Sequence, residues 1–231
     1  MRTFSNSDIL EMWERGQPLH PLDRGLLALS VSLSSPAEEL ADWPLGQRNR
    51  ALFDLHRMSF GSRLRGWTSC AGCGEKVEFD LEANSLMIED GPEEALVVGD
   101  ERFRLPTSRD MAEVMAASDA KAAAIRLVER CAVDASRAVT WSDRMLEEVE
   151  EKMATADPMA ETRLRLRCPT CDREWDETLD IASFVWAEIE ARARRLLWEV
   201  HSLASAYGWT EAETLSLPAA RRATYLEMVQ A

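Results

Sequence analysis

The sequence predicts an α+β protein, mostly helical, with a small β zinc ribbon formed from two sequence-distant C-x-x-C knuckles. Three observations carry this expectation. Four of the five cysteines sit in two C-x-x-C pairs, Cys70 with Cys73 and Cys168 with Cys171. Each pair lies between two short runs of strand character. Much of the remaining chain places apolar residues at three- or four-residue spacing, most extensively over residues 180–207. The ribbon then divides the chain into four parts. These are an N-terminal helical region (1–62), a discontinuous zinc ribbon (63–82 and 161–180), an inserted hairpin with helices (83–160), and a C-terminal long helix with a helical hairpin (181–231).

In the N-terminal region, Ser5 or Ser7 is placed to cap a helix over 8–15, with Ile9, Met12 and Trp13 on one face. Gly16 and Pro18 end it. Pro21 and Asp23 open a second helix bearing Leu22, Leu26, Leu27, Leu29 and Leu33. Ser35-Pro36-Ala37-Glu38 reads as an N-cap with proline at the first helical position, starting a short third helix that stops near Trp43 and Pro44. A fourth helix is expected over 45–60, with Leu52, Leu55 and Met58 as core candidates, Phe60 near its end and Ser59 exposed.

The first knuckle follows. Residues 63–68 lead in, and 76–82 lead out with Val77, Phe79 and Leu81 on one face of a half-buried strand. Gly74 stands where a knuckle turn needs positive φ. In the insertion, residues 84–94 are acidic and turn-rich, broken at Gly91 and Pro92. Residues 96–98 and 102–105 suit a hairpin turning at Gly99 and Asp100. Helices are expected over 109–117 (capped by Thr107 or Ser108), 119–131 and 141–153. Glu147, Glu148, Glu150 and Glu151 form a solvated face of the last.

The second knuckle repeats the first: Arg163-Leu164-Arg165-Leu166-Arg167 alternates into Cys168, and 174–179 leads away with Trp175 inward. Asp172 stands where the first knuckle has Gly74. The three arginines make the one basic stripe, read as pairing with the abundant carboxylates. The long helix carries Phe184, Val185, Ile189, Leu196, Val200, Leu203 and Tyr207, and Gly208 suits the position past its end. Thr210-Glu211-Ala212-Glu213 is a capping box, and a last helix spans 219–229.

A net charge of −14 over 231 residues argues against nucleic acid and anionic membrane surfaces as partners, because both need a basic footprint. The longest uncharged run, 25–37, is too short to span a bilayer, and residues 1–10 hold no apolar signal region. A cytoplasmic setting follows as the expectation, and there C-x-x-C pairs are metal-binding or redox-active more often than disulfide-forming.

The two-residue spacer lets both thiolates of a knuckle reach one ion while turn N–H groups support the sulfurs. The expectation is one structural Zn2+ on Cys70, Cys73, Cys168 and Cys171. The 94 residues between Cys73 and Cys168 exceed the roughly 15–20 of common zinc pairs. Dithiol redox chemistry is the rival, but it expects a C-x-x-C at a helix start, and strand-like runs follow both pairs here. Cys131 falls in a helical pattern as a buried apolar residue. His20, His56 and His201 form no metal motif, and no nucleophile or phosphate-binding motif is present, so neither an enzyme nor a small-molecule substrate is expected.

Several segments occur in a recognisable order: Arg102-Phe103-Arg104-Leu105-Pro106-Thr107, Cys168-Pro169-Thr170-Cys171, Phe184-Val185-Trp186, His201-Ser202-Leu203-Ala204-Ser205-Ala206-Tyr207-Gly208-Trp209 and Arg221-Arg222-Ala223-Thr224-Tyr225-Leu226. In this the chain resembles the baseplate hub assembly proteins of contractile-tailed phages and related proteins of phage-like contractile injection systems. The resemblance covers most of the chain and is best over 100–231. It implies a noncatalytic baseplate component or assembly factor whose partners are other baseplate, hub or tail proteins. It implies cytoplasmic residence during assembly and leaves open a place in the finished tail particle. The competing class is a zinc-ribbon binding module for nucleic acid or transcription machinery, against which the acidic balance counts.

Overall fold

The computed structural model describes residues 1–88, 96–133 and 141–230. Ten α-helices and six strands are found among them, the strands forming three separate antiparallel hairpins. The fold is α+β and mostly helical, with the two knuckle hairpins meeting at their cysteines.

Helices α1 (Asn6–Gly16), α2 (Pro21–Leu33), α3 (Ala37–Leu40) and α4 (Leu45–Phe60) open the chain. Ser5 caps α1 in a reciprocal box with Asp8, satisfying amides that a helix start leaves unpaired. His20 caps α2, its Nδ1 accepting from the Leu22 N–H at 3.3 Å. The cap expected at Ser35 does not form. Ser34 turns left-handed (φ 56°) to close α2, and the Ser35 N–H donates back to the Ser30 carbonyl. Pro36 then precedes a single helical turn with no side-chain cap.

The first knuckle hairpin pairs β1 (Arg63–Ser69) with β2 (Lys76–Glu82), and the second pairs β5 (Thr162–Arg167) with β6 (Glu174–Leu179). Between them lie the small hairpin of β3 (Leu96–Val98) and β4 (Glu101–Phe103), then α5 (Ser108–Val114), α6 (Ala120–Cys131) and α7 (Asp143–Ala156). The break expected at Gly91 and Pro92 lies outside the described residues. The chain ends with α8 (Ile181–Tyr207), α9 (Glu211–Ser216) and α10 (Ala219–Gln230). Gly208 closes α8 in the left-handed region (φ 69°), and Thr210 with Glu213 completes the expected capping box. Among the described residues, no helix is long and apolar enough to cross a membrane.

Two apolar cores result. The larger joins α1, α2, α4 and α8 and takes Leu64, Leu164 and Leu179 from the knuckle hairpins. The N-terminal helices therefore share their core with the long C-terminal helix. Gly16 permits this approach, because a Cβ there would come within 2.1 Å of the Trp186 ring. The smaller core, around Phe103, Val128, Cys131 and Val149, belongs to the insertion. Of the core candidates on α4, Leu52 and Leu55 are fully buried, but Met58 is exposed and Phe53 takes the inner position. Ser59, expected to be exposed, is half-buried with its Oγ enclosed.

A polar seam fastens the insertion to the larger core. The buried Asp157 carboxylate accepts from the Gly46 N–H at 2.8 Å, so it caps α4 from 111 residues away. Asn49 donates through Nδ2 to the carbonyls of Met159 and Ala160 at 2.9 and 3.0 Å. Across the seam, Arg48 reaches Ser108 Oγ at 2.9 Å.

Candidate metal centre

The centre is assembled from two turns of the same construction. In the first, the Cys70 N–H donates to the Glu75 carbonyl (2.8 Å) and the Gly74 N–H to the Cys70 carbonyl (2.8 Å). In the second, the Cys168 N–H donates to the Arg173 carbonyl (2.9 Å) and the Asp172 N–H to the Cys168 carbonyl (3.0 Å). Gly74 has φ 77° and Asp172 φ 58°. The left-handed position is thus met once by glycine and once by aspartate, which tolerates that region better than most side chains. The Asp172 carboxylate is held by Arg167 at 2.9 Å.

This construction brings the four sulfurs together, all within 4.8 Å of one another. Two close separations run between the turns, Cys70 to Cys171 at 3.7 Å and Cys73 to Cys168 at 3.6 Å. Sulfurs about 2.3 Å from a central ion in a tetrahedron lie about 3.8 Å apart. The donor set and its spacing therefore suit one tetrahedral metal ion, with Cys70, Cys73, Cys168 and Cys171 as its four ligands. Among the described residues this is the one group with metal-ligand spacing. Cys70 and Cys168 are buried against Val77 and Trp175, while Cys73 and Cys171 are exposed.

The electrostatics of the sulfurs point the same way. Turn N–H groups of Cys73 and Gly72 push the Cys70 thiol down to about 6. The Cys73 thiol receives the Glu75 N–H, but the Cys171 and Cys168 sulfurs outweigh it and push Cys73 up to about 12. One thiolate forms readily and further ones are opposed by those already present, an opposition a divalent cation removes. Four sulfurs would complete a tetrahedron about one ion and leave no coordination position for water or substrate.

Side chains of both hairpins brace the site. Thr68 on β1 donates to Glu177 Oε2 on β6 at 3.0 Å, and Trp175 Nε1 donates to the same oxygen at 3.2 Å. The stripe of Arg163, Arg165 and Arg167 is matched by Glu161 (2.8 Å), Asp176 (2.7 Å) and Asp172 (2.9 Å). The three histidines lie apart: His20 caps α2, His56 is buried against Phe60, and His201 is exposed on α8. Scanned against known protein families, curated proteins and solved structures, the chain returns no match.

Two further polar clusters escape sequence reading. The fully buried Asp110 is gripped by both terminal nitrogens of Arg104 (2.6 and 2.9 Å) and by Arg130 Nε (2.9 Å), and it caps α5 with Thr107. On the long helix, buried Glu199 binds buried Arg222 at 2.8 Å and exposed Arg195 at 3.0 Å. Thr107 was one of two expected caps for α5, but nothing in local spacing announces its box with Asp110 or the arginines that meet these carboxylates.

Proposed function

We propose that this chain is a noncatalytic, zinc-clamped component or assembly factor of a contractile phage tail baseplate or a phage-like injection system. The observation that carries the noncatalytic part is the closed cluster of four sulfurs where two hairpins meet, with 94 residues between Cys73 and Cys168. Such a site fixes shape and leaves no ligand position for chemistry. Zinc is the preferred ion because it favours four thiolates in a tetrahedron.

The tail assignment rests on the resemblance of residues 100–231. Within those motifs Val185, Trp186, Leu203, Arg222 and Leu226 are buried and join α8 to its neighbours. Tyr207, Trp209 and Tyr225 form a partly exposed group, with Tyr207 and Trp209 stacked at 4.8 Å. Trp198, Met228 and Val229 are exposed elsewhere on the same helices. Aromatic and methionine side chains left in solvent are the composition of protein-contact surfaces. The partners are accordingly other baseplate, hub or tail proteins, met in the cytoplasm during assembly.

Capture of the tagged protein from cells expressing a complete tail gene cluster tests this reading. Recovery of a hub or baseplate protein, lost on Trp209→Ala, is the expected result. Normal baseplates in a strain lacking the protein, with no tail protein recovered, refute it. A salt-sensitive complex with DNA or RNA at modest protein concentration would instead favour the nucleic-acid module. The arginine pairing of β5 argues against that outcome.

A further inference from the structure

We infer that the outer edge of β3 is a docking site for an extended basic peptide segment, which adds there as a strand. The inference is independent of the baseplate reading and of the metal centre. The two-residue turn at Gly99 and Asp100 makes Val98 and Glu101 the closing pair of the β3–β4 hairpin. In an antiparallel pair, hydrogen-bonded and non-bonded positions alternate. Val97 and Arg102 therefore direct their N–H and C=O groups away from each other. The contacts agree on both sides: the Arg102 carbonyl accepts from the Val133 N–H at 2.8 Å, and the Val97 carbonyl accepts from Lys152 Nζ at 2.6 Å.

The β4 edge is thus covered by main chain, whereas among the described residues the β3 edge is met by a lysine side chain that solvent or a competing N–H can displace. Lys152 is nearly half exposed. Beside this edge runs an open trough of about 590 Å³ between β3 and α7. Leu96 and Ala156 supply apolar wall, and the Val97 side chain is 53% exposed at its margin. Glu148 and Glu151, one helical turn apart on α7, form the rim, with Lys152 the one cation among the lining residues.

These features select one occupant. Main-chain groups at a strand edge bind an extended backbone through hydrogen bonds, and alternate side chains of the incoming strand then face the apolar wall. The glutamate rim selects lysine or arginine at the outer positions, and the chain's net charge of −14 steers a basic segment toward it. The incoming N–H replaces Lys152 Nζ on the Val97 carbonyl, which releases the lysine to solvent.

The test titrates the intact metal-loaded chain with acetyl-Lys-Val-Lys-Val-Lys-Val-amide, following the Val97 amide by 15N NMR. The controls are the same peptide N-methylated at alternate residues and its Glu-Val counterpart. Val97→Pro removes the outward N–H and leaves the ladder to β4 intact. Saturable binding is expected, with the Val97 resonance among those that move. Val97→Pro and N-methylation should each weaken binding about three- to tenfold, the worth of a hydrogen bond, and Glu148→Lys with Glu151→Lys should weaken it at least as much. Unchanged circular dichroism and melting of Val97→Pro establish that the fold survives. Equal affinity for the N-methylated or Glu-Val peptide overturns the proposal, as does undiminished binding to folded Val97→Pro or no binding at millimolar peptide.

Discussion

Removing the metal from the four-cysteine centre should loosen the protein without unfolding it outright, and the size of the effect follows from chain connectivity. A metal ion held by all four sulfurs would tie Cys73 to Cys168 and so close a loop of 94 intervening residues. In the chain-entropy description, a cross-link around such a loop removes about 4.7 kcal/mol of freedom from the unfolded state. That figure is a ceiling for the loop contribution, because Leu64, Leu164 and Leu179 keep both hairpins in the larger core without metal. For a chain of this size each kcal/mol moves the melting midpoint by about 2–4 °C, so a fall of about 10–20 °C is the expected upper range. Thermal melts by circular dichroism would be recorded on zinc-loaded protein, on protein stripped with a chelator, and on Cys168→Ser. Metal content would be measured on each sample by native mass spectrometry. Cys131→Ser, a change remote from the centre, should retain one metal per chain. A midpoint that moves by less than about 3 °C on verified removal of the metal would refute the clamp, whatever the ion's affinity.

Four other outcomes follow from particular contacts. A Cβ on Gly46 would come 1.7 Å from Asp157 Oδ1, so Gly46→Ala must expel a buried carboxylate from its N–H partner; a loss of about 2–4 kcal/mol in urea unfolding is expected. Arg222→Ala leaves Glu199 buried with only the exposed Arg195, and should cost about 3–5 kcal/mol, while Arg222→Met combined with Glu199→Leu should recover most of it. Burial raises the affinity of Asp110 for a proton, but Arg104 and Thr107 outweigh it and hold the carboxyl well below the usual range. The unfolded chain then binds the proton more tightly, so the stabilisation is complete above about pH 4 and fades as pH falls toward the folded value. The stability gap between wild type and Asp110→Asn in urea should accordingly narrow below about pH 4. Burial pushes the Cys131 thiol up to about 12, so an aromatic disulfide reagent at pH 8 should label it only on unfolding.

The ribbon was legible almost to the residue because two local signals coincide there. C-x-x-C fixes each turn, and alternation fixes the faces of β2 and β5; β2 begins and ends where its alternation does. The long helix was legible through its repeating spacing, although Tyr207 lies 41% exposed at its end, stacked on Trp209. Met58 was misplaced for a geometric reason. Each step of three residues turns about 60° short of a full circle, so two steps from Leu52 through Leu55 rotate Met58 about 120° off the inward face. Phe53 and His56 instead occupy the sector around Leu52. The couplings of Asp157 with Gly46 and of Glu199 with Arg222 were not legible. Each joins residues brought together by the tertiary fold, and a buried carboxylate has the same local sequence appearance as a solvated one.

The division of the four sulfurs between two turns also has a consequence for how the protein is made. A ribosome delivering about 5–20 residues per second needs about 5–20 s to travel from Cys73 to Cys168. Throughout that interval the first turn holds half a coordination sphere. The ion can be locked in place only after the whole insertion has been synthesised, and just before α8 emerges to complete the larger core. Capture of a metal ion by all four sulfurs would therefore come late in synthesis, after the insertion and before α8.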